Sequence, residues 1–301
     1  MATLRDIQRR IRAVKSTRQI TRAMKMVSAA KLRRAQGRML ELRPYADKMQ
    51  SVIEGLAART KEEAHPLLAV RPRHNVEVLV ITSDRGLCGA FNTNILRSAS
   101  ALMAELGKEE VNSVSGGPVD AGVSVVGKKA RDYYRRRRIE VSNTWVGLSG
   151  KISFREAQQI AAGMTSRFIE GDLDEVYMVY NEFVNVIRQQ VRAVKLLPMA
   201  AGEEAAGGAE AGPAAGYIYE PSEELLLDAL LPKNVEVQVY RALLESQASE
   251  EAARMSAMEN ATKSANEMIE KLTLQYNKAR QATITAELMD IVGGVEALKA
   301  S

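Results

Sequence analysis

At 301 residues with 46% hydrophobic side chains, the chain holds enough apolar material for one large domain or two small ones, and it is not a disordered tail. An aromatic share of only 5%, with one Trp against thirteen Met, favours helix-rich packing and disfavours a base-stacking surface for single-stranded nucleic acid. The lone cysteine, Cys88, excludes an internal disulfide, and the two histidines, His65 and His74, are too few for the usual zinc ligand set, so neither a metal nor a cofactor is expected.

The net charge of +5 is unevenly placed. Residues 1–43 carry thirteen Lys/Arg against Asp6 and Glu41, a local balance of +11, whereas residues 235–301 carry seven Lys/Arg against ten Asp/Glu. Opposite signs at the two ends suit mutual attraction or two different partners. No apolar run approaches the ~18 residues of a membrane span.

From Thr3 to Pro44 the only glycine is Gly37, and Ile7, Ile11, Val14, Met24, Leu32, Met39 and Leu42 recur at three-and-four spacing. This predicts one long helix within an N-terminal segment of residues 1–58, roughly 60 Å long at ~1.5 Å per residue. Its middle stripe passes through Thr17, Thr21 and Ser28, small enough for a second helix to approach closely. A breaker-rich connector, 59–75, follows.

Residues 76–199 have the texture of an α/β domain. Strands are predicted at Val76–Thr82, Gly122–Val126, Glu175–Tyr180 and Gln190–Leu196, and helices at Asn94–Leu106, Lys128–Arg138 and Phe154–Ile169. Alternation at these lengths points to a small parallel sheet with helices on both faces. Residues 107–121 read as a loop insertion. The segment 200–216 is rich in Ala, Gly and Glu and is expected to be mobile, with 217–232 closing the domain.

Residues 233–292 contain neither Gly nor Pro, so a C-terminal helix within 233–301 could reach on the order of 90 Å. Ala265, Met268, Leu272, Tyr276, Ala279, Thr283 and Ala286 form a heptad-like seam of mostly small residues that calls for a partner helix. Because the middle of the chain joins the end of the first helix to the start of the second, the two pair as an antiparallel coiled coil. The fold class is therefore α/β with long helices, a coiled coil of the chain ends plus a small Rossmann-like domain.

Two stretches approach nucleotide-binding motifs. Ser83-Asp-Arg-Gly-Leu-Cys-Gly-Ala-Phe-Asn92 is a glycine-bearing turn between a strand and a helix, but it lacks G-x-G-x-x-G spacing. Gly122-Val-Ser-Val-Val-Gly127-Lys128-Lys129 meets a Walker A pattern until Lys129 replaces the magnesium-binding hydroxyl. Glycines serving turn geometry are the preferred account of the first, and coincidence of the second, whose Val123–Val126 is the strand itself and not a glycine-rich loop. No Ser/His/Asp set, Cys/His pair or paired carboxylates suggest catalysis. A basic helix and a heptad helix also permit a nucleic-acid-binding coiled coil, although here a whole domain separates them.

Ile20-Thr-Arg-Ala-Met-Lys-Met-Val-Ser-Ala-Ala-Lys-Leu-Arg33, the Ser83–Asn92 stretch and Tyr276-Asn-Lys-Ala-Arg-Gln-Ala-Thr-Ile-Thr-Ala-Glu-Leu288, in this order, closely resemble the gamma-subunit family of F-type ATP synthases over nearly the whole chain. The resemblance implies a non-catalytic central rotor shaft that turns inside a ring of three alpha and three beta subunits, with the α/β domain near the epsilon subunit and the c-ring. By the same resemblance, Met24, Arg254, Arg280, Gln281 and Thr285 would contact beta subunits. It implies no cofactor, no nucleic acid, and membrane attachment only through the complex, on the cytoplasmic side of a bacterial plasma membrane. Thiol control, found in plastid relatives through a cysteine pair, is excluded by the single cysteine.

Overall fold

The computed structural model describes residues 3–57, 65–108, 119–150, 152–199 and 222–300. The insertion 200–216 and most of 107–121 lie outside the described residues. Two compact units emerge, Met1–Ser28 with Met255–Ser301, and Ala29–Arg254.

The larger unit is built on five strands, β1 (Asn75–Ile81), β2 (Asp120–Val126), β3 (Thr144–Trp145), β4 (Glu175–Phe183) and β5 (Gln189–Leu197), in the spatial order β3-β2-β1-β4-β5. Four run parallel, as expected, with Val78 opposite Val123 on one side and Tyr177 on the other. The expected parallel sheet is present with one antiparallel edge, because β5 pairs antiparallel with β4. Only residues 184–188 join them, and a parallel crossover needs a dozen or more residues. β3 escapes sequence reading because two residues carry no period.

Helices α2 (Phe91–Leu106) and α3 (Lys128–Arg136) cover one face of the sheet, where Val78, Val80, Val123 and Val125 meet Phe91, Ile95, Ala99 and Tyr134. On the other face Leu79, Ile81, Val176 and Met178 meet α4 (Phe154–Glu170). A capping box of Ser153 and Glu156 starts α4, and Gly171, at φ 88°, ends it in the left-handed conformation. The same core takes in Met49, Ile53 and Leu56 of α1 (Leu4–Ala57) and Leu227, Leu231, Val235 and Leu243 of α5 (Glu223–Ala300).

α5 starts at Glu223, ahead of its expected limit at 233, and each long helix carries a proline inside it, Pro44 and Pro232. A helix-internal proline costs about 3 kcal/mol. Burial of Ala46, Met49, Ile53 and Leu56 after Pro44, and of Leu227 and Leu231 before Pro232, outweighs that cost at ~1.5–3 kcal/mol for each large side chain. Partly or fully buried residues of α1 recur at 4, 7, 11, 14, 18, 21, 25 and 28 and continue at 32, 35, 39, 42, 46, 49, 53 and 56, an unbroken alternation of three and four.

Ahead of β1, a short 3-10 turn, Pro66–Leu68, inserts Leu67 and Leu68 into the core. His65 caps it, its Nδ1 accepting the Leu67 N–H at 3.0 Å while its Nε2 lies 3.7 Å from Asp228. Among the described residues no helix is long and apolar enough to cross a membrane.

Candidate functional site

The two stretches that approach nucleotide motifs lie side by side at the carboxyl ends of β1 and β2, and they are bonded to one another. Thr82 Oγ1 donates to the Val126 carbonyl and accepts from the Ala130 N–H, both at 3.0 Å. The Lys129 N–H donates to the Ser83 carbonyl at 3.1 Å, and the Lys128 N–H to Asp84 Oδ1 at 3.1 Å. Gly127 has φ +94°, and a Cβ there would stand 2.3 Å from the Thr82 carbonyl oxygen. Its glycine serves loop closure. The opening N–H groups of α3, which a phosphate would need, are all taken by protein acceptors.

Asp84 also accepts the N–H groups of Gly147 and Ser149, at 3.0 and 3.1 Å. Burial alone would raise its carboxyl, but these three backbone donors and the Lys128 cation hold it below the usual range. Beside it opens a small, solvent-open cleft lined by Ile81, Gly127, Ser149, Ser246, Gln247 and Glu250. Cys88 is buried in the same turn, where it accepts from Asn92 Nδ2 at 3.2 Å. Burial pushes its thiol up, and the Glu250 carboxylate adds to this.

In the smaller unit α1 and α5 pair antiparallel. Arg18 bonds Asn266 at 3.2 Å, Thr21 meets Thr262 at 2.7 Å, and Lys25 pairs with Glu259 at 2.6 Å, so partner numbers always sum to 283 or 284. On that register Thr3 lies near residue 281, and the rest of α5 has no partner helix along α1. Every side chain from Arg280 to Val292 is exposed, including Ile284, Leu288, Met289, Ile291 and Val292. The seam of α5 runs Met258, Thr262, Ala265, Ile269, Leu272, Tyr276 and Ala279, all buried or half-buried. This corrects the expected seam at three positions, since Met268 points outward and Thr283 and Ala286 lie beyond the pairing. On α1 the cations Arg5, Arg9, Arg10, Arg12, Lys15 and Arg22 are exposed.

Of the residues singled out from sequence, Met24 is half-buried at the flank of the seam. Arg280, Gln281 and Thr285 come together on the exposed end of α5, with the Thr285 hydroxyl donating to the Gln281 carbonyl at 2.9 Å. Arg254 is placed differently, as the last residue of the larger unit and 7% exposed. Its guanidinium hydrogen-bonds Glu250 and lies 3.0 Å from Glu251, which Lys31 of α1 also approaches at 3.6 Å. Burial pushes the Glu250 carboxyl up, with Arg254 opposing it.

The sequence profile of the family described as ATP synthase matches residues 3–298. The ATP synthase gamma chain of Anaeromyxobacter sp. (strain Fw109-5) is 50% identical over 302 residues, 99% of this chain and 100% of its own. The chain belongs to the ATP synthase gamma family. Among solved structures, a chain of the Tetrahymena thermophila mitochondrial ATP synthase central stalk and c-ring is 26% identical with a TM-score of 0.58, covering 80% of this chain and 99% of that one. A chain of the Euglena gracilis mitochondrial ATP synthase matches in fold with a TM-score of 0.69 at 23% identity, over 99% of this chain and 95% of that one. For this gamma-family member the sequence reading overlooked Asp84 and Thr262. Asp84 carried a signal, an acid two residues past a strand end beside a helix that lacks one of its own in its first turn. Thr262 carried none.

Proposed function

We propose that this chain is the central rotor stalk of an F-type ATP synthase, coupling ion-driven rotation of a c-ring to ATP synthesis, and the reverse, in a ring of three alpha and three beta subunits. The observation that carries the reading is the helix pair of the smaller unit, in which α5 outlasts its partner by about 19 residues, or ~28 Å, and leaves Ile284, Leu288, Met289, Ile291 and Val292 uncovered. An isolated monomer does not retain such a surface without something to cover it. An asymmetric rod in a three-fold ring presents a different face to each catalytic subunit, so each rotor angle favours a different nucleotide state. By reciprocity, nucleotide exchange on the ring drives the rod.

In this reading the chain breaks no bonds itself. Met24, Arg280, Gln281 and Thr285 contact beta subunits, and Arg254 belongs to the same contact zone while braced by Glu250 and Glu251. The exposed cations of α1 face acidic segments of the beta subunits. The α/β domain meets the epsilon subunit and the c-ring, and the complex lies on the cytoplasmic side of a bacterial plasma membrane. Purification of the tagged chain from its native membrane tests this. Recovery with alpha, beta and epsilon subunits is expected, and nucleic acid in their place overturns it.

A further inference from the structure

Parallel strands in the order β3-β2-β1-β4 form the kind of sheet that receives phosphates over its strand ends, on the N–H groups of a helix start. Here N–H groups from three positions, Lys128 at the start of α3 and Gly147 and Ser149 before α4, converge on one carboxylate at 3.0–3.1 Å. That carboxylate belongs to Asp84, on the loop after β1. The bonding is returned, because the Asp84 N–H donates to Ser149 Oγ at 3.4 Å. The next two N–H groups of α3 go to Ser83 and Thr82, so none is left for an external ligand. Asp84 and Ser149 stand on the rim of the cleft whose opposite wall is Ser246, Gln247 and Glu250 of α5.

We propose that Asp84 is a resident anion: its carboxylate fills the position that the start of α3 offers to an anion at the strand ends, closing that helix start to phosphate and clasping the loop after β1, the start of α3 and the loop before α4 into one rim facing α5. The inference rests on the geometry of the larger unit and does not depend on which partners the chain assembles with. Deleting the carboxylate leaves three converging N–H donors and the Lys128 cation around an empty place, and a small anion from solution satisfies them.

The test is the thermal midpoint of the full-length chain and its Asp84→Ala and Asp84→Asn variants in chloride, formate or inorganic phosphate at matched ionic strength. Asp84→Ala is expected to melt roughly 4–8 °C lower in chloride, and formate should restore at least half of the loss by binding the folded state. The Asn variant keeps an acceptor for Lys128 and Gly147 but no charge, so it should melt between the two and gain nothing from formate. A phosphate-induced rise in the unaltered chain would show an open site and overturn the proposal. So would an Ala variant that melts like the parent, or one that no anion rescues. Where the Ala variant does not fold, an Asn variant as stable as the parent overturns it equally.

Discussion

The hydroxyls of Thr21 and Thr262 lie 2.7 Å apart across the α1–α5 pair, each also within reach of a carbonyl of its own helix, Arg18 at 3.0 Å and Met258 at 2.7 Å. A hydroxyl has one proton, so one threonine donates across the pair and the other donates to its own helix. The contact is a small polar lock between the helices, on the same register as Arg18–Asn266 and Lys25–Glu259.

Replacing either threonine alone with valine keeps the shape but leaves the remaining hydroxyl without its cross-helix partner. Each single variant is expected to lose about 1 kcal/mol, and the double variant less than the sum of the two, because the one cross-helix bond can be lost only once. Denaturant unfolding of the four chains of this cycle checks it, and strictly additive losses would show that the hydroxyls do not interact.

Gly127→Ala should abolish soluble folding. The added Cβ meets the Thr82 carbonyl oxygen at 2.3 Å and its carbon at 2.8 Å, against backbone held by the Thr82–Val126 and Lys129–Ser83 bonds, and φ +94° is disfavoured for alanine whatever the space. A loss of at least about 3 kcal/mol is expected. Soluble, cooperatively melting protein at the parent's midpoint would contradict the loop interlock.

His65 makes stability depend on pH. Desolvation lowers its pKa below 6.5, with Asp228 partly opposing, and Nδ1 must stay unprotonated to accept from Leu67. The unfolded chain therefore binds the proton more readily, so this contribution is complete above pH 6.5 and is lost as pH falls toward the lower folded-state value. His65→Asn keeps a capping acceptor without titrating in this range. Its melting temperature should decline less than the parent's between pH 7.5 and 5.5, and parallel declines would exclude His65 as the cause.

Arg280→Ala with Gln281→Ala is expected to slow ATP hydrolysis by the reconstituted complex roughly tenfold, the scale of one charge-assisted hydrogen bond made in only some rotor positions. Both side chains are exposed and alanine is the best helix former, so the isolated chain should melt unchanged. Full turnover at normal stability would remove these residues from the contact.

The legible part of this fold is where period and composition act alone. Buried apolar runs such as Val78 to Ile81 mark central strands, and the glycine-free span after residue 233 marks α5. Tertiary burial overrides local rules elsewhere. Pro44 and Pro232 signal boundaries that packing carries the helices through, and Met268 loses its seam position to Ile269, because a 3.5-residue seam drifts between two equally apolar neighbours. Met24, Arg280, Gln281 and Thr285 rest on motif position alone, since a contact with a partner would leave no trace in the chain's own packing. Arg254 differs, because its nearest charges, Glu250 and Glu251, lie one helical turn away and could be read beforehand.

The buried Cys88 makes the chain a clean substrate for site-directed chemistry. Its thiol is 2% exposed and held protonated by its surroundings, so alkylating reagents that need an accessible thiolate will pass it by while the fold is intact. A cysteine introduced at Ile187, 94% exposed between β4 and β5, would then be the only reactive sulfur in 301 residues. A fluorophore or bead attached there reports the angle of the α/β domain without removal of the native residue.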